Sequence, residues 1–224
     1  MQIKINVISL SDYYEKISRG IFDFLQAFKE CCPICYAKNC AVRIGFYFRM
    51  AVDIETGLII EKLMIIRFLC RRKGKPKIKD RTFSLLPSSL IPYRRFSIKS
   101  LMTILKEKLV IVQRVIEIPG SICNYFASLN LDFSFETCYI YNYLKVFKNT
   151  ISKLNIFLRK TLKENIHLTT SREGLVFAYS YITEFICPQT NQKGAEALDL
   201  YYYQESGGYL KNAQFLFGTP YQHR

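Results

Sequence analysis

The chain has no long apolar run, no tryptophan, only two histidines and a shortage of acidic residues. Each scarcity narrows what the protein can be. Apolar stretches such as LVIV at 109–112 and LMII at 63–66 are broken by charge far short of the ~18 residues that a membrane-spanning helix needs. The opening MQIKINVISLSDYYEK lacks a basic stretch leading into an apolar one and a small-residue cleavage site, so no export signal is expected. The expected location is the cytoplasm, at the nucleoid in a bacterium, with no membrane partner. No P-loop, Gly-x-Ser-x-Gly or His-Glu-x-x-His pattern occurs. The late acids Glu173, Glu184, Glu196, Asp199 and Glu205 lack the central apolar strand that a three-carboxylate transposase core requires. The reading is therefore of a protein that is not an enzyme.

What is present is a core and an uneven charge. With 224 residues and 50% hydrophobic content the chain suits one larger or two small globular domains and is too apolar for general disorder. Lys and Arg number 32 against 18 Asp and Glu, a formal charge of +14. Residues 1–115 hold 22 of these bases and nine of the acids, whereas 116–224 hold 10 and nine. The excess is densest at 67–99, where Arg67, Arg71, Arg72, Lys73, Lys75, Lys77, Lys79, Arg81, Arg94, Arg95 and Lys99 face Asp80 alone. A polyanion is the natural partner of such a run, because each base that neutralises a phosphate releases condensed counterions. A solvated loop that only aids solubility is the plainer reading.

Eight cysteines without an export signal argue for free thiols rather than a disulfide framework. Cys31, Cys32, Cys35 and Cys40 cluster in ECCPICYAKNC, and Cys70 follows in FLCRRKG. Cys32 and Cys35 form a Cys-x-x-Cys knuckle, whose tight turn aims two thiolates at one cation. A hairpin signal follows, with apolar residues at Val42, Ile44, Phe46 and Phe48, a turn at DIETG around Gly57, and a second apolar run over 58–69. Knuckle, hairpin and returning Cys70 describe a zinc β-ribbon. Its second knuckle is incomplete, since CRRKG places Lys73 where a fourth thiolate belongs, and neither His167 nor His223 is near. Either Cys31 or Cys40 supplies the fourth ligand, or a water fills an open position, or the metal has been lost and the hairpin is held by its core. Cys123, Cys138 and Cys187 read as ordinary core thiols.

The strings CPIC, RIGFYFR, IIRFLCRRKG and RTFSLLPSSLIPYRRFS together resemble an uncharacterised family of bacterial, insertion-element-associated proteins. In that family a transposase-type zinc ribbon runs into a TFSxLPxxLxPYRRYS signature and then a helix-turn-helix. The resemblance covers Cys32 to about Ser97 and implies DNA binding connected with mobile elements. It marks Cys32, Cys35 and Cys70 as metal-site positions and Phe83, Leu86, Pro87, Pro92, Tyr93, Arg94 and Arg95 as signature positions. The chain departs from it at Lys73 and in the KPKIKD insertion at 75–80.

Beyond Ser97 the pattern turns helical. Ser97 caps a helix whose stripe is Ile98, Leu101, Leu105, Leu109, Val112 and Ile116, ended by Pro119 and Gly120. A short helix over 121–129, an NLDF turn, and a long helix capped by Ser134 and carrying Ile140, Leu144, Phe147, Ile151, Leu154 and Leu158 complete a tri-helical helix-turn-helix outline. A small helical bundle packed on the ribbon fits the same period. The start of the last helix offers Glu136, Thr137, Asn142, Lys145 and Lys148 to a groove. The segment LVFAYSYITEFI at 175–186 suits a buried helix or strand. The tail from Cys187 is polar and rich in Gly and Tyr, with Tyr201, Tyr202 and Tyr203 placed to anchor it or to stack on bases.

The expected fold is thus α+β: an N-terminal segment at 1–30, a degenerate zinc-ribbon-like domain with a basic finger at 31–96, a helix-turn-helix-like domain at 97–165 and a C-terminal segment at 166–224. The expected function is non-catalytic binding of duplex DNA. The phosphate contacts fall to Arg71, Arg72, Lys73, Lys75, Lys77, Lys79, Arg81, Arg94 and Arg95, and the base contacts to Asn142 and Lys145. A transposase or a second copy of the chain is a further candidate partner. The alternative is a protein-interaction or RNA-binding module using the same basic face.

Overall fold

The computed structural model describes residues 2–5, 9–20, 32–72, 81–92, 94–113, 137–206 and 216–217. They form a mixed α+β structure with a four-stranded sheet. Strands β2 (Ala41–Asp53) and β3 (Leu58–Cys70) make the long antiparallel hairpin, β4 (Thr82–Pro87) pairs antiparallel with β3, and β1 (Gln2–Ile5) adds parallel to β4. The hairpin turns where the sequence places it. Asp53 Oδ1 accepts the Glu55 N–H at 3.2 Å and the Gly57 N–H reaches Ile54 O at 3.3 Å.

The ladder is interrupted twice. Ile44 is an extra residue between the pairs Arg43–Phe68 and Gly45–Arg67, and Gly45 takes φ of +138°, a backbone region that glycine enters at little cost. The second irregularity lies between Arg49 and Ala51. It divides β2 into an outer half that is partly exposed and an inner end, Ala51, Val52 and Asp53, that is buried.

The residues that mark β2 in the sequence are not its buried set. Ile44, Phe46 and Phe48 are 46%, 44% and 52% exposed, with the two rings edge to face at 5.2 Å. The reason is that β2 is an edge strand, and the sheet's core comes from its interior neighbours. Leu63, Ile65, Ile66 and Phe68 of β3 pack with Phe83, Leu85 and Leu86 of β4. Phe68 and Phe83 stack at 5.2 Å. Helix α1 (Leu10–Ser18), capped by the Ser9 hydroxyl, adds Leu10, Tyr13 and Ile17 to that core, and the Tyr13 hydroxyl donates to Met64 O at 2.9 Å. The segment at 1–30 thus contributes a strand and a helix that its composition did not announce.

Four more helices form the second core. Ser97 caps α2 (Ile98–Gln113) as its position suggests, its Oγ accepting the Ser100 N–H at 3.0 Å, and Ile98, Leu101 and Leu105 are buried at three- and four-residue steps. Helix α3 (Thr137–Phe157) buries Phe147, Ile151 and Leu154 and runs into a widened π-type turn, Leu158–Leu162, closed by Lys163 in the left-handed region. The apolar segment at 175–186 lies mostly in α4 (Arg172–Glu184). Helix α5 (Ala195–Glu205) falls in the stretch read as a tail, where Tyr201 and Tyr203 are buried. These two tyrosines are anchors, and their rings are covered rather than offered to bases. The short helix expected at 121–129 and its turn lie outside the described residues; the long helices expected on either side of them are α2 and α3.

Sheet and helices share apolar contacts. Val52, Ile54 and Ile91 belong to the same buried cluster as α2 to α5, and Tyr203 reaches the sheet's cluster. Ser100 ties the two, accepting the Ile54 N–H at 2.8 Å and donating to Val52 O at 3.1 Å. No helix among the described residues is long and apolar enough to cross a membrane.

Candidate metal centre

Four thiols meet at the open end of the hairpin. Cys32, Cys35, Cys40 and Cys70 place their Sγ atoms within 4.8 Å of one another. The Cys35–Cys40, Cys35–Cys70 and Cys40–Cys70 separations are 3.1, 3.4 and 3.9 Å. Four sulfurs ~2.3 Å from one zinc would stand ~3.8 Å apart at tetrahedral corners, so the quartet is already close to the required size.

Local backbone structure brings them together. The knuckle turns at 33–35, with the Tyr36 N–H bonded to Cys32 O at 2.8 Å and the Cys32 N–H to Ala37 O at 3.1 Å. Tyr36 and Asn39 adopt φ of 61° and 54°, left-handed values that side chains other than Asn and Gly seldom take, and they fold the Tyr36–Asn39 loop back on itself. Cys40 then enters β2, whose first residue, Ala41, pairs with Cys70 at the end of β3. The Arg71 N–H closes the ladder on Cys40 O at 2.8 Å. Hairpin register therefore brings Cys70 beside the residue that precedes β2, and among the described residues the fourth corner is Cys40. Cys31, the other candidate, and Lys73, which stands where a fourth knuckle thiolate would be, lie outside the described residues.

Electrostatics favour a cation here. Burial raises the Cys35 thiol, but contacts from Cys40, the Ala37 backbone, Cys70 and Cys32 outweigh it and bring it down to about 7. Burial, joined by the neighbouring sulfurs, pushes Cys40 and Cys70 up. Cys35 thus ionises ahead of Cys40 and Cys70, a competition among neighbouring sulfurs that a divalent cation removes by binding them as thiolates. Cys32 and Cys70 are buried while Cys35 and Cys40 are half-buried. Four protein sulfurs leave no coordination position for water, so a metal such as zinc held here would be structural. The cluster fits a zinc-ribbon-like site. Cys187 is buried away from it, as a core thiol, and Cys123 lies outside the described residues.

The predicted nucleic-acid contacts divide into four groups. Arg71 and Arg72 follow Cys70 directly and are exposed, with Arg72 Nη1 donating to Cys35 O at 3.2 Å. Lys73, Lys75, Lys77 and Lys79 lie outside the described residues, and half-buried Arg81 resumes the chain ahead of β4. Arg94 and Arg95 are half-buried at the junction of sheet and helices. The Arg94 guanidinium lies 5.9 Å from the centre of the Tyr143 ring, and Arg95 O accepts the Val52 N–H at 2.8 Å. Asn142 and Lys145 are exposed on α3 with Lys148. Sequence reasoning missed Arg49, whose guanidinium donates to Ile91 O at 3.4 Å, the carbonyl that also accepts the Arg94 N–H, because nothing in RIGFYFR distinguishes it from Arg43. The chain matches no protein-family model, no curated protein and no solved structure.

Proposed function

We propose that the protein is a non-catalytic DNA-binding protein related to the DNA-recognition region of insertion-element transposases. In this reading a zinc-stapled ribbon presents a basic finger to the phosphate backbone. The observation that carries it is the junction at Cys70. Its thiol belongs to the metal quartet, while the next residues, Arg71 and Arg72, open the basic run and Arg72 is tied back to the knuckle at Cys35 O. A metal at Cys32, Cys35, Cys40 and Cys70 would fix the base of that finger, and its chemistry would be charge neutralisation and cross-linking rather than turnover.

The helices are read as the outer members of a helix-turn-helix, with α3 offering Asn142 and Lys145 to the major groove. What supports this part is the exposure of those side chains on a helix whose opposite face is buried. The late acids suit structural roles. Glu184 pairs with Lys193, and fully buried Asp199 accepts the N–H groups of Leu216 and Phe217 at 3.0 and 3.2 Å.

The test is a salt-dependent titration of the full chain against random duplex and against the ends of the mobile element that encodes it, with Mg²⁺ or Mn²⁺ present. Binding without strand cutting is expected. Replacing Lys73, Lys75, Lys77 and Lys79 together should weaken all duplexes alike, lowering the slope of log affinity against log salt by ~0.9 for each phosphate that is no longer neutralised. An unchanged slope, or binding that persists at high salt, would make the run a solvated surface or a protein-docking face.

A further inference from the structure

We infer that Arg49 and Arg94, which meet at Ile91 O and of which Arg94 lies over the Tyr143 ring, form a phosphate-binding clamp. The charge on Arg49 is uncompensated among the described residues. Arg49 lies on β2 just before the irregularity that turns the strand's end into the core. Burial lowers its pKa, and the groups that oppose this are the phenols Tyr47 and Tyr143 rather than a carboxylate. Among the described residues its guanidinium has one long hydrogen bond, to Ile91 O at 3.4 Å, and no ion pair. A guanidinium has five donors, so most of the Arg49 fork is unused.

The neighbours repeat the sign. Arg94 rests over the Tyr143 ring at 5.9 Å with no ion pair among the described residues, and the fields of Arg94, Arg95 and Arg49 all act on that phenol. The site is held by backbone bonds on two sides. The Arg94 N–H reaches Ile91 O at 3.2 Å, and residues Arg95 and Ser97 pair with Val52. The Phe96 N–H, at 3.4 Å from Tyr143 Oη, fixes the ring on which Arg94 lies. Partly buried cations without an acid beside them are stabilised by an external anion, and two guanidinium forks match the oxygens of a phosphate.

The phosphate could belong to a nucleic-acid backbone or be free in solution, and only the first source rests on the proposed DNA-binding function. The experiment therefore has two arms, both on the full chain. In the first, melting temperature is followed against inorganic phosphate at constant ionic strength, with chloride as the control. The wild type should be stabilised by phosphate beyond chloride, and R49Q should shift the phosphate dependence to about tenfold or more higher concentration, as expected for removal of a charge-assisted hydrogen bond. In the second arm, duplex titrations of R49Q should show a salt slope lower by about 0.9. R94Q, whose guanidinium is half-exposed, gives the same two readouts if R49Q does not fold.

Equal phosphate shifts in the wild type and in the folded variant overturn the clamp, as does the absence of a phosphate-specific shift in the wild type. An Arg49-dependent phosphate shift without any duplex binding keeps the clamp and removes the nucleic-acid reading. Duplex binding whose salt slope ignores Arg49 and Arg94, with no phosphate shift, keeps that reading and removes the clamp.

Discussion

Cys40 and Cys70, thirty residues apart in sequence, lie with their sulfurs 3.9 Å apart because Ala41 and Cys70 are the first rung of the β2–β3 ladder. Metal ligation and hairpin register are therefore one constraint. A slip of one residue would turn Cys70 to the other face of the sheet and break the quartet.

The first prediction follows from that coupling. Purified under reducing conditions, the protein should carry about one zinc, and Cys40→Ser should abolish it while Cys187→Ser, at a buried thiol outside the cluster, should not. A chelator should lower the melting temperature of the wild type and leave that of Cys40→Ser unchanged, since binding energy at a site formed only on folding is folding energy. Far-UV circular dichroism should keep most of its amplitude, because the two apolar clusters are built mainly from β3, β4 and the helices, and the thiol end joins them only through Ile34 and Ala41. Zinc retained in Cys40→Ser would return the fourth corner to another ligand.

Asp199 should matter for stability and not for turnover. It is fully buried, and one of its oxygens holds both Leu216 and Phe217, which Thr150 grips from α3 through Leu216 O at 3.1 Å. Asp199→Ala removes two hydrogen bonds and leaves two buried N–H groups unpaired, a cost of about 2–4 kcal/mol in urea unfolding. A change below about 0.5 kcal/mol would show that the clasp is not formed in solution.

Much of the metal site was legible in the sequence because thiol spacing is a local signal. Cys32 and Cys35 follow from their knuckle and Cys70 from the hairpin return, whereas the place of Cys40 in the quartet needed the register of β2 against β3. Ser97 and the stripe Ile98, Leu101 and Leu105 were equally readable, since a cap and a 3.6-residue period are local too. Helix α5 was hidden because its buried residues, among them Leu198, Tyr201 and Tyr203, run almost all round it, leaving no apolar stripe to find. The exposure of Phe46 and Phe48 was hidden because alternation identifies a strand but not whether that strand is an edge. Arg49 was hidden for a related reason: the carbonyl its guanidinium meets, Ile91 O, is far from it in sequence.

Asp53 gives a pH dependence whose sign is fixed by its surroundings. It is 6% exposed, and burial raises its carboxyl above the ordinary aspartate value, with the Glu55 N–H and Lys99 only partly opposing this. Below the unfolded pKa both states are protonated and there is no penalty. As pH rises through the folded pKa the penalty of burying the charge is fully established and stability falls. Asp53→Asn keeps an oxygen for the Glu55 N–H without the charge. Compared with the wild type at each pH, it should be more stable at pH 7 and no more stable near pH 3, as read by urea midpoints. A gain that persists unchanged at the lower pH would point to packing rather than ionisation.

Asn142 and Lys145 allow the helix-turn-helix proposal to be separated from simple backbone binding. Both are exposed and three residues apart, hence on one face of α3, while Tyr143, Val146 and Phe147 face the core. Their replacement by alanine should leave the fold intact. If this face enters a major groove, an asparagine can bond an adenine edge through two hydrogen bonds, and Asn142→Ala should reduce discrimination between preferred and altered sites by ~1–3 kcal/mol. Lys145→Ala should either do the same or, if its partner is a phosphate, weaken every duplex alike and lower the salt slope by ~0.9. Competition binding against a randomised duplex library separates these outcomes. An unaltered sequence preference in the double variant, with its salt slope also unchanged, would make α3 a packing helix and leave DNA contact to the basic residues that follow Cys70.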